Sequence, residues 1–267
     1  CMTTNKTLKG TALITGASGG IGAALAREFA AKGHDLVLVA RSTDKLKSLA
    51  NELAAQHGIR AQVLPADLGA PQAAEALHRE VVAQGLTVDI LVNNAGLLHE
   101  GAFWQTPLAS HQQLLSVNIG ALMALTHLFL PAMIERKQGR VLNLASTSAF
   151  QPIPYLSTYA ASKAFVLSFS EGLNIELKGS GVRVTALCPG FTETEMIAKS
   201  GGKSMSVPFV RNLTAEEVAQ QGYAACIAGK PLYINGASNR TLIAFGRHQP
   251  RWLQRLVTEM ISKKGIT

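Results

Sequence analysis

The feature that most constrains this chain is its alternation of short apolar runs with amphipathic helical stretches. The runs are "TALIT" (Thr11–Thr15), "DLVLVA" (Asp35–Ala40), "RAQVLPAD" ending at Asp67, "DILVNNAG", "GRVLNLAS" and "GVRVTALCPG". None shows the in/out alternation of a half-wet sheet, so each is expected to be a strand buried on both faces. Between them lie "GIGAALAREFAAKG", stopped at Gly33, then 44–57 with Leu46, Leu49 and Leu53 at helical spacing, then 70–84, 108–137 and 157–178. Strand, helix, strand, repeated this often, gives an α/β fold: a doubly wound parallel sheet with helices on both faces. Right-handed crossovers then place ligand sites beyond the carboxyl ends of the strands.

The first turn of this pattern is specific. "TGASGGIG" follows the first strand and opens the first helix. Gly16 permits a tight turn, and Gly20 and Gly22 remove side chains where a ligand or the strand must approach. The helix start offers unpaired N–H groups and a positive dipole end to a phosphate. The spacing is Gly, three residues, Gly, one residue, Gly, which is not the common dinucleotide fingerprint. The second strand departs from that rule too. Where an acid for a ribose 2′-hydroxyl would stand, the chain has Arg41 and Ser42. A guanidinium suits a phosphate, which points to a 2′-phosphate and hence to NADP(H). Asp44 is expected to cap the next helix. Asp67 has two readings that stay open, an acceptor for the adenine amino group with Leu68 beside it, or a helix cap. In "NNAG" (93–96), small residues let a cofactor lie against the backbone, and paired asparagines tie turns together.

"STYAASK" carries Tyr159 and Lys163 four residues apart. On a helix they share one face. A neighbouring ammonium favours the phenolate, so the expectation is a phenol whose pKa is lowered. By itself this pair is more often a surface pair than a catalytic one.

Together these pieces resemble the short-chain dehydrogenase/reductase superfamily. The matching residues are "TGASGGIG", Asp67, "NNAG", Asn118, Ser146, "YAASK" and "PGFTET", and the likeness runs from about Thr7 to Ala228. The resemblance implies a single Rossmann-type domain over residues 1–267, with about seven strands in the order 3-2-1-4-5-6-7. It implies hydride transfer between NADP(H) and a carbonyl or alcohol. Tyr159 would be the general acid/base, with Lys163 lowering its pKa and holding the nicotinamide ribose. Ser146 would hydrogen-bond the substrate oxygen, and Asn118 would anchor a relaying water. Gly16, Ser18, Gly19, Gly20, Ile21 and Gly22 would carry the phosphates; Arg41 and Ser42 the 2′-phosphate; Asp67, Leu68, Asn94, Ala95 and Gly96 the adenosine side and ribose; Pro189, Gly190, Thr192 and Thr194 the carboxamide and pyrophosphate. A chain that keeps the fold and binds NADP(H) without turnover is the alternative, and its mark would be a lost tyrosine or lysine.

The rest of the sequence bounds the partners. The chain has 267 residues, 47% hydrophobic and 16% charged, which describes a globular protein with a large, mostly aliphatic core. The net charge of +8 is dispersed and no recognition motif accompanies it, so no nucleic-acid partner is expected. Cys1, Cys188 and Cys226 are too few for a disulfide framework and point to a reducing, cytoplasmic setting. Cys1 stands ahead of Met2 and is expected to be an appended residue. Neither a signal peptide nor an apolar run of membrane-spanning length is read in the sequence, and no metal-ligand cluster is expected.

Residues 191–213, rich in Gly, Ser and Thr, are expected to form a substrate loop. Together with 97–107 and 148–157 it would bring Phe103, Trp104, Phe150, Ile153, Tyr155 and Phe209 to an apolar carbonyl substrate. His99 and His111 are expected to be loop and helix-surface residues. "LTAEEVAQQGYAACIAG" is a helix with a Thr214/Glu217 capping box, and "PLYIN" a last short strand. A helical extension over about 239–267 sets Trp252, Leu256 and Met260 on one face. It is expected to cover the pocket or join a homo-oligomer (dimer or tetramer) rather than a membrane surface.

Overall fold

The computed structural model describes residues 10–190, 192, 212–247 and 249. Thr194, Phe209, most of the 191–213 loop and the Trp252 face lie outside the described residues. Seven strands form one sheet in the order β3-β2-β1-β4-β5-β6-β7, and every pairing is parallel. The strands are β1 (Thr11–Thr15), β2 (Asp35–Ala40), β3 (Ala61–Pro65), β4 (Ile90–Asn93), β5 (Gly139–Leu144), β6 (Val182–Cys188) and β7 (Leu232–Ile234). The apolar runs are buried because helices cover both faces. On one face α1 (Gly20–Ala31), α2 (Thr43–His57) and α7 (Ala215–Ile227) pack through Phe29, Leu46, Leu53 and Val218. On the other, α3 (Ala73–Ala83) and α5 (Leu122–Glu135) pack through Leu77, Leu125, Phe129 and Met133. The helix α6 (Ser157–Glu176) adds Val166 and Leu167 beneath β5 and β6.

Three local departures from the sequence reading have physical causes. The third helix begins at Ala73 rather than 70, because Pro71 pushes Ala70 away from helical backbone. Asp44 does not cap α2. Ser42 is the N-cap, with no side-chain bond to the helix, and Asp44 sits in the first turn, where a negative charge meets the dipole. The long stretch 108–137 is not one regular helix. It runs as α4 (Leu108–Leu115), a π-helical turn (Ser116–Ala121) and α5. Contrary to the expectation that no apolar run reaches membrane-spanning length, Leu108–Glu135 is long and apolar enough to cross one by length and composition. Here its Leu125, Phe129 and Met133 are buried in the sheet's core. The capping box at Thr214 and Glu217 forms as expected.

Candidate active site

The site is assembled at the carboxyl ends of β4, β5 and β6. The π turn matters first. Its widened backbone places Asn118, itself buried, against the residues that follow β4. The Asn118 Oδ1 accepts from Leu97 N at 2.7 Å, and its Nδ2 donates to Leu97 O at 3.0 Å and Ser162 Oγ at 3.1 Å. Ser162 Oγ in turn donates to the Tyr159 carbonyl at 2.7 Å. One amide thus ties the end of β4 to the first turn of α6.

Tyr159 and Lys163 do share a face of α6, with Nζ 5.6 Å from the centre of the phenol ring. Lys163 is buried and donates to the Leu144 carbonyl at 2.7 Å. Ser146 follows β5, accepts from Ser148 N at 3.1 Å and lies close enough to the Tyr159 phenol to draw its pKa down. Thr147 N donates to Pro189 O at 2.9 Å, which fastens the segment after β6 beside the serine.

The electrostatics reverse one sequence expectation. Burial pushes the Tyr159 phenol up to about 12, with only the Ser146 hydrogen bond pulling the other way. Burial pushes Lys163 down to about 8. The expected lowering of the phenol by its ammonium neighbour is therefore overridden by the loss of water around both groups. Burial likewise pushes Cys188, at the end of β6, up to about 12, so its thiol stays protonated.

The glycine turn is knitted to the strand end "NNAG". Thr15 Oγ1 accepts from Asn94 N and Ala95 N, both at 3.0 Å. Asn94 Nδ2 donates to Thr15 O at 2.8 Å and to Gly16 O at 3.2 Å. A Cβ at Gly22 would collide with the Gly16 carbonyl and the Asn94 amide, so this glycine answers to the protein's own packing. Gly16 has φ 67° and Gly20 φ 53°, the left-handed region that glycine tolerates. Gly19 is the N-cap of α1 without a side-chain cap, and a Cβ there would meet only open space. The uncapped N–H groups of α1 therefore face an open side, and this fits a pyrophosphate. Gly96 stands where a Cβ would be 3.7 Å from Lys163 Nζ, so the strand end lies directly against the Lys163 ammonium.

Arg41 and Ser42 are exposed at the start of α2. A cavity of about 820 Å³ runs from Ser18, Gly19 and Gly20 between α1 and α2 to Thr214. Lys45 also lines it, a residue that sequence reasoning missed. Its signal was a second cation one helical turn after Arg41. Asp67 is exposed and accepts from Gly69 N at 3.0 Å. It closes a turn and is not a helix cap, because α3 starts six residues later. The Leu68 side chain is buried in the core. Gly190 abuts Asn239, a buried residue of α8 (Ala237–Arg247) that was also missed, and Thr192 is buried with Oγ1 donating to Gly190 O at 3.2 Å.

The expected pocket aromatics divide. Phe150 packs partly into the core beside Val166 and Leu167, and Phe103 stacks on His111 with ring centres 4.6 Å apart. Trp104 is 81% exposed. His111 bridges the Thr158 hydroxyl at 2.9 Å and the Phe103 carbonyl at 3.3 Å, a structural clamp. No group of His, Cys, Asp or Glu that could hold a metal ion occurs among the described residues.

Comparison with known proteins agrees with this geometry. The model of the family described as short chain dehydrogenase matches residues 10–204. The very-long-chain 3-oxoacyl-CoA reductase of Anas platyrhynchos is 37% identical over 191 residues, 69% of this chain and 60% of that protein's length. The serine 3-dehydrogenase of Agrobacterium fabrum is 37% identical over 235 residues, 85% of this chain and 91% of that protein. A short-chain dehydrogenase from Sphingobium yanoikuyae, solved in complex with NADPH, is 34% identical with a TM-score of 0.80, covering 90% of this chain and 93% of that one. The chain belongs to the short chain dehydrogenase family. It is an oxidoreductase that acts on a carbonyl or alcohol group with a nicotinamide dinucleotide.

Proposed function

We propose that the chain is an NADPH-preferring carbonyl reductase for a small, largely apolar substrate, with Ser146, Tyr159 and Lys163 as its catalytic residues. The observation that carries this is the buried Lys163 ammonium 5.6 Å from the Tyr159 ring on one face of α6, held to the Leu144 carbonyl, with Ser146 close enough to the phenol to draw its pKa down. NADPH supplies the hydride when bound. Ser146 holds the carbonyl oxygen and Tyr159 gives it a proton, so both donors meet negative charge as it develops. A phenol pushed up to about 12 keeps its proton at neutral pH, which suits the acid of a reduction. Lys163, cationic below about 8, steadies the phenolate left behind. Asn118 keeps the lysine's helix and the β4 end in register.

The N-terminus of α1 would hold the pyrophosphate. Arg41, Ser42 and Lys45 would hold the 2′-phosphate, with Asp67 near the adenine, and Asn94, Ala95, Gly96, Pro189, Gly190 and Thr192 would flank the rest. Leu115 and Met123 on the π-bulged helix and Phe165 on α6 are exposed, which supports a homo-oligomer built on that face. Buried free thiols at Cys188 and Cys226 fit a reducing cytoplasm. The reading of a silent NADP(H)-binding protein has no observation in its favour, since serine, tyrosine and lysine stand together. The test is a titration with NADPH and NADH followed by turnover on a panel of ketones and aldehydes. Tight NADPH binding with oxidation of NADPH by at least one ketone is expected; binding without turnover on any would overturn the reading.

A further inference from the structure

A ladder of polar side chains crosses the apolar core next to the site. Thr126 on α5 donates its hydroxyl to the Leu122 carbonyl at 2.7 Å. Asn93, at the end of β4, donates from Nδ2 to Thr126 Oγ1 at 3.0 Å and to Asn143 Oδ1 at 2.9 Å. Asn143 stands opposite it on β5 in the sheet register. Asn143 Nδ2 donates to Ser170 Oγ on α6 at 2.9 Å, and Ser170 donates to the Val166 carbonyl at 2.6 Å. All four side chains are buried. Each hydroxyl gives its proton to its own helix, so toward the neighbouring asparagine it can only accept. The direction of every bond in the ladder is thereby fixed.

Stability alone does not account for this arrangement. Asn93 Oδ1 is buried and has no hydrogen-bond partner among the described residues. An unpaired buried oxygen is unfavourable, and apolar side chains of the same shape would cost less. What such bonds supply is direction. The packing of α6 through Val166 and Leu167 is apolar and non-directional, so it tolerates a small slide or rotation. A hydrogen bond does not. The position of the ladder says what is held. Ser170 lies two turns after Lys163, so the two share a face of α6. Both reach β5, and at consecutive residues: Ser170 accepts from Asn143, and Lys163 Nζ donates to the Leu144 carbonyl at 2.7 Å. We propose that Asn143 and Ser170 are positioning residues for Lys163, their bond setting the height and rotation of α6 over β5 so that the ammonium meets the Leu144 carbonyl beside the Tyr159 ring. This rests on the carbonyl-reductase reading and extends the machinery of that site into the core.

The test compares the two ends of the ladder, using the panel ketone that wild type reduces fastest, saturating NADPH and a temperature well below melting. Ser170→Ala and Thr126→Val each leave one asparagine N–H without its acceptor, and both are expected to lower the melting temperature by similar amounts. Only Ser170→Ala frees α6. Its kcat is expected to fall about tenfold with the ketone KM within about twofold, since misplacement at the reacting centre is felt in the rate. Thr126→Val is expected to keep kcat within about twofold. Ser170→Cys fills the same space and accepts weakly through sulfur; it is expected to lose about threefold, and it carries the comparison if Ser170→Ala does not fold. Equal falls in kcat at the two ends, or wild-type kcat in the Ser170 variants, overturn the positioning role and leave the carbonyl-reductase reading standing. Wild type that binds NADPH and reduces no ketone overturns that reading, and the positioning role with it.

Discussion

The two ends of the cofactor path are built differently. Around Tyr159 and Lys163 side chains are tied into the surrounding backbone: Asn118 with Leu97 and Ser162, Lys163 with the Leu144 carbonyl, Ser146 with Ser148 N. Around Arg41 and Ser42 the side chains stand in solvent at a helix start that no side chain caps. The first region is a preorganised rack in which one substitution is felt by its neighbours. The second is a set of separable charges whose effects should be local and screened by salt. Chemistry and cofactor choice are therefore expected to come apart under mutation.

The largest effect belongs to the rack. Tyr159→Phe removes the proton donor but leaves the ring and its packing. Turnover is expected to fall about 10²–10⁴-fold, with NADPH affinity and melting temperature nearly unchanged. Wild-type-like rates in steady-state assays of this variant would break the comparison at its stronger end.

Next is the pH profile. Lys163 is cationic below about 8 and neutral above it. Reduction at saturating NADPH is expected to hold level below that point and to decline above it by up to about tenfold per pH unit. Oxidation of the alcohol needs the phenolate and is expected to climb with pH instead, since Tyr159 is held near 12. Stability follows its own sign. Lys163 titrates lower in the fold than in the unfolded chain, so between about 8 and its ordinary value near 10.5 the unfolded state binds more protons. Folding stability should rise across that window in wild type and lose this increment in Lys163→Met. Urea titrations at pH 8 and 10.5 measure it, and an identical pH dependence in both proteins would contradict the burial of that charge.

How much of this was legible in the sequence follows the same division. The alternation of strands and helices, the glycine turn and the shared face of Tyr159 and Lys163 depend on local spacing, and spacing survives into structure, whereas the strand order came only with the family resemblance. The direction of the phenol's shift depends on which remote groups exclude water, and Leu144 and Ser146 arrive from another strand. The role of Gly22 was half legible: the need for close approach could be read, but the group approached is Asn94, seventy-two residues away along the chain. Asn239 behind Gly190 and the bond between Asn143 and Ser170 are tertiary facts with no local pattern. The cap of α2 failed at Asp44 because propensity ranks Asp and Ser alike as caps, and only the backbone decides which residue stands at the boundary.

Cofactor choice should move less than rate. Arg41→Asp replaces a cation by an anion at an exposed position. The ratio of kcat/KM for NADPH over NADH is expected to fall by at least about tenfold, the size of a lost charge-assisted hydrogen bond, with kcat on NADH unchanged. A preference left intact would remove Arg41 from the phosphate site.

The smallest effect tests whether that end is truly modular. Lys45 lines the cavity that begins at Ser18 and Gly19, one turn into the helix that Arg41 precedes. A lysine contributes a compact point charge rather than a bidentate fork, and it stands where salt reaches it. Lys45→Ala is expected to weaken NADPH binding about threefold at low salt and to have no measurable effect near 0.5 M, where screening is strong. If the two cations contribute separately to the phosphate, the double variant Arg41→Ala/Lys45→Ala is expected to show the sum of the single binding losses. Coupling well beyond additivity in a binding titration would mean that the 2′-phosphate end is a linked network like the rack around Tyr159, and the contrast between the two regions would fail.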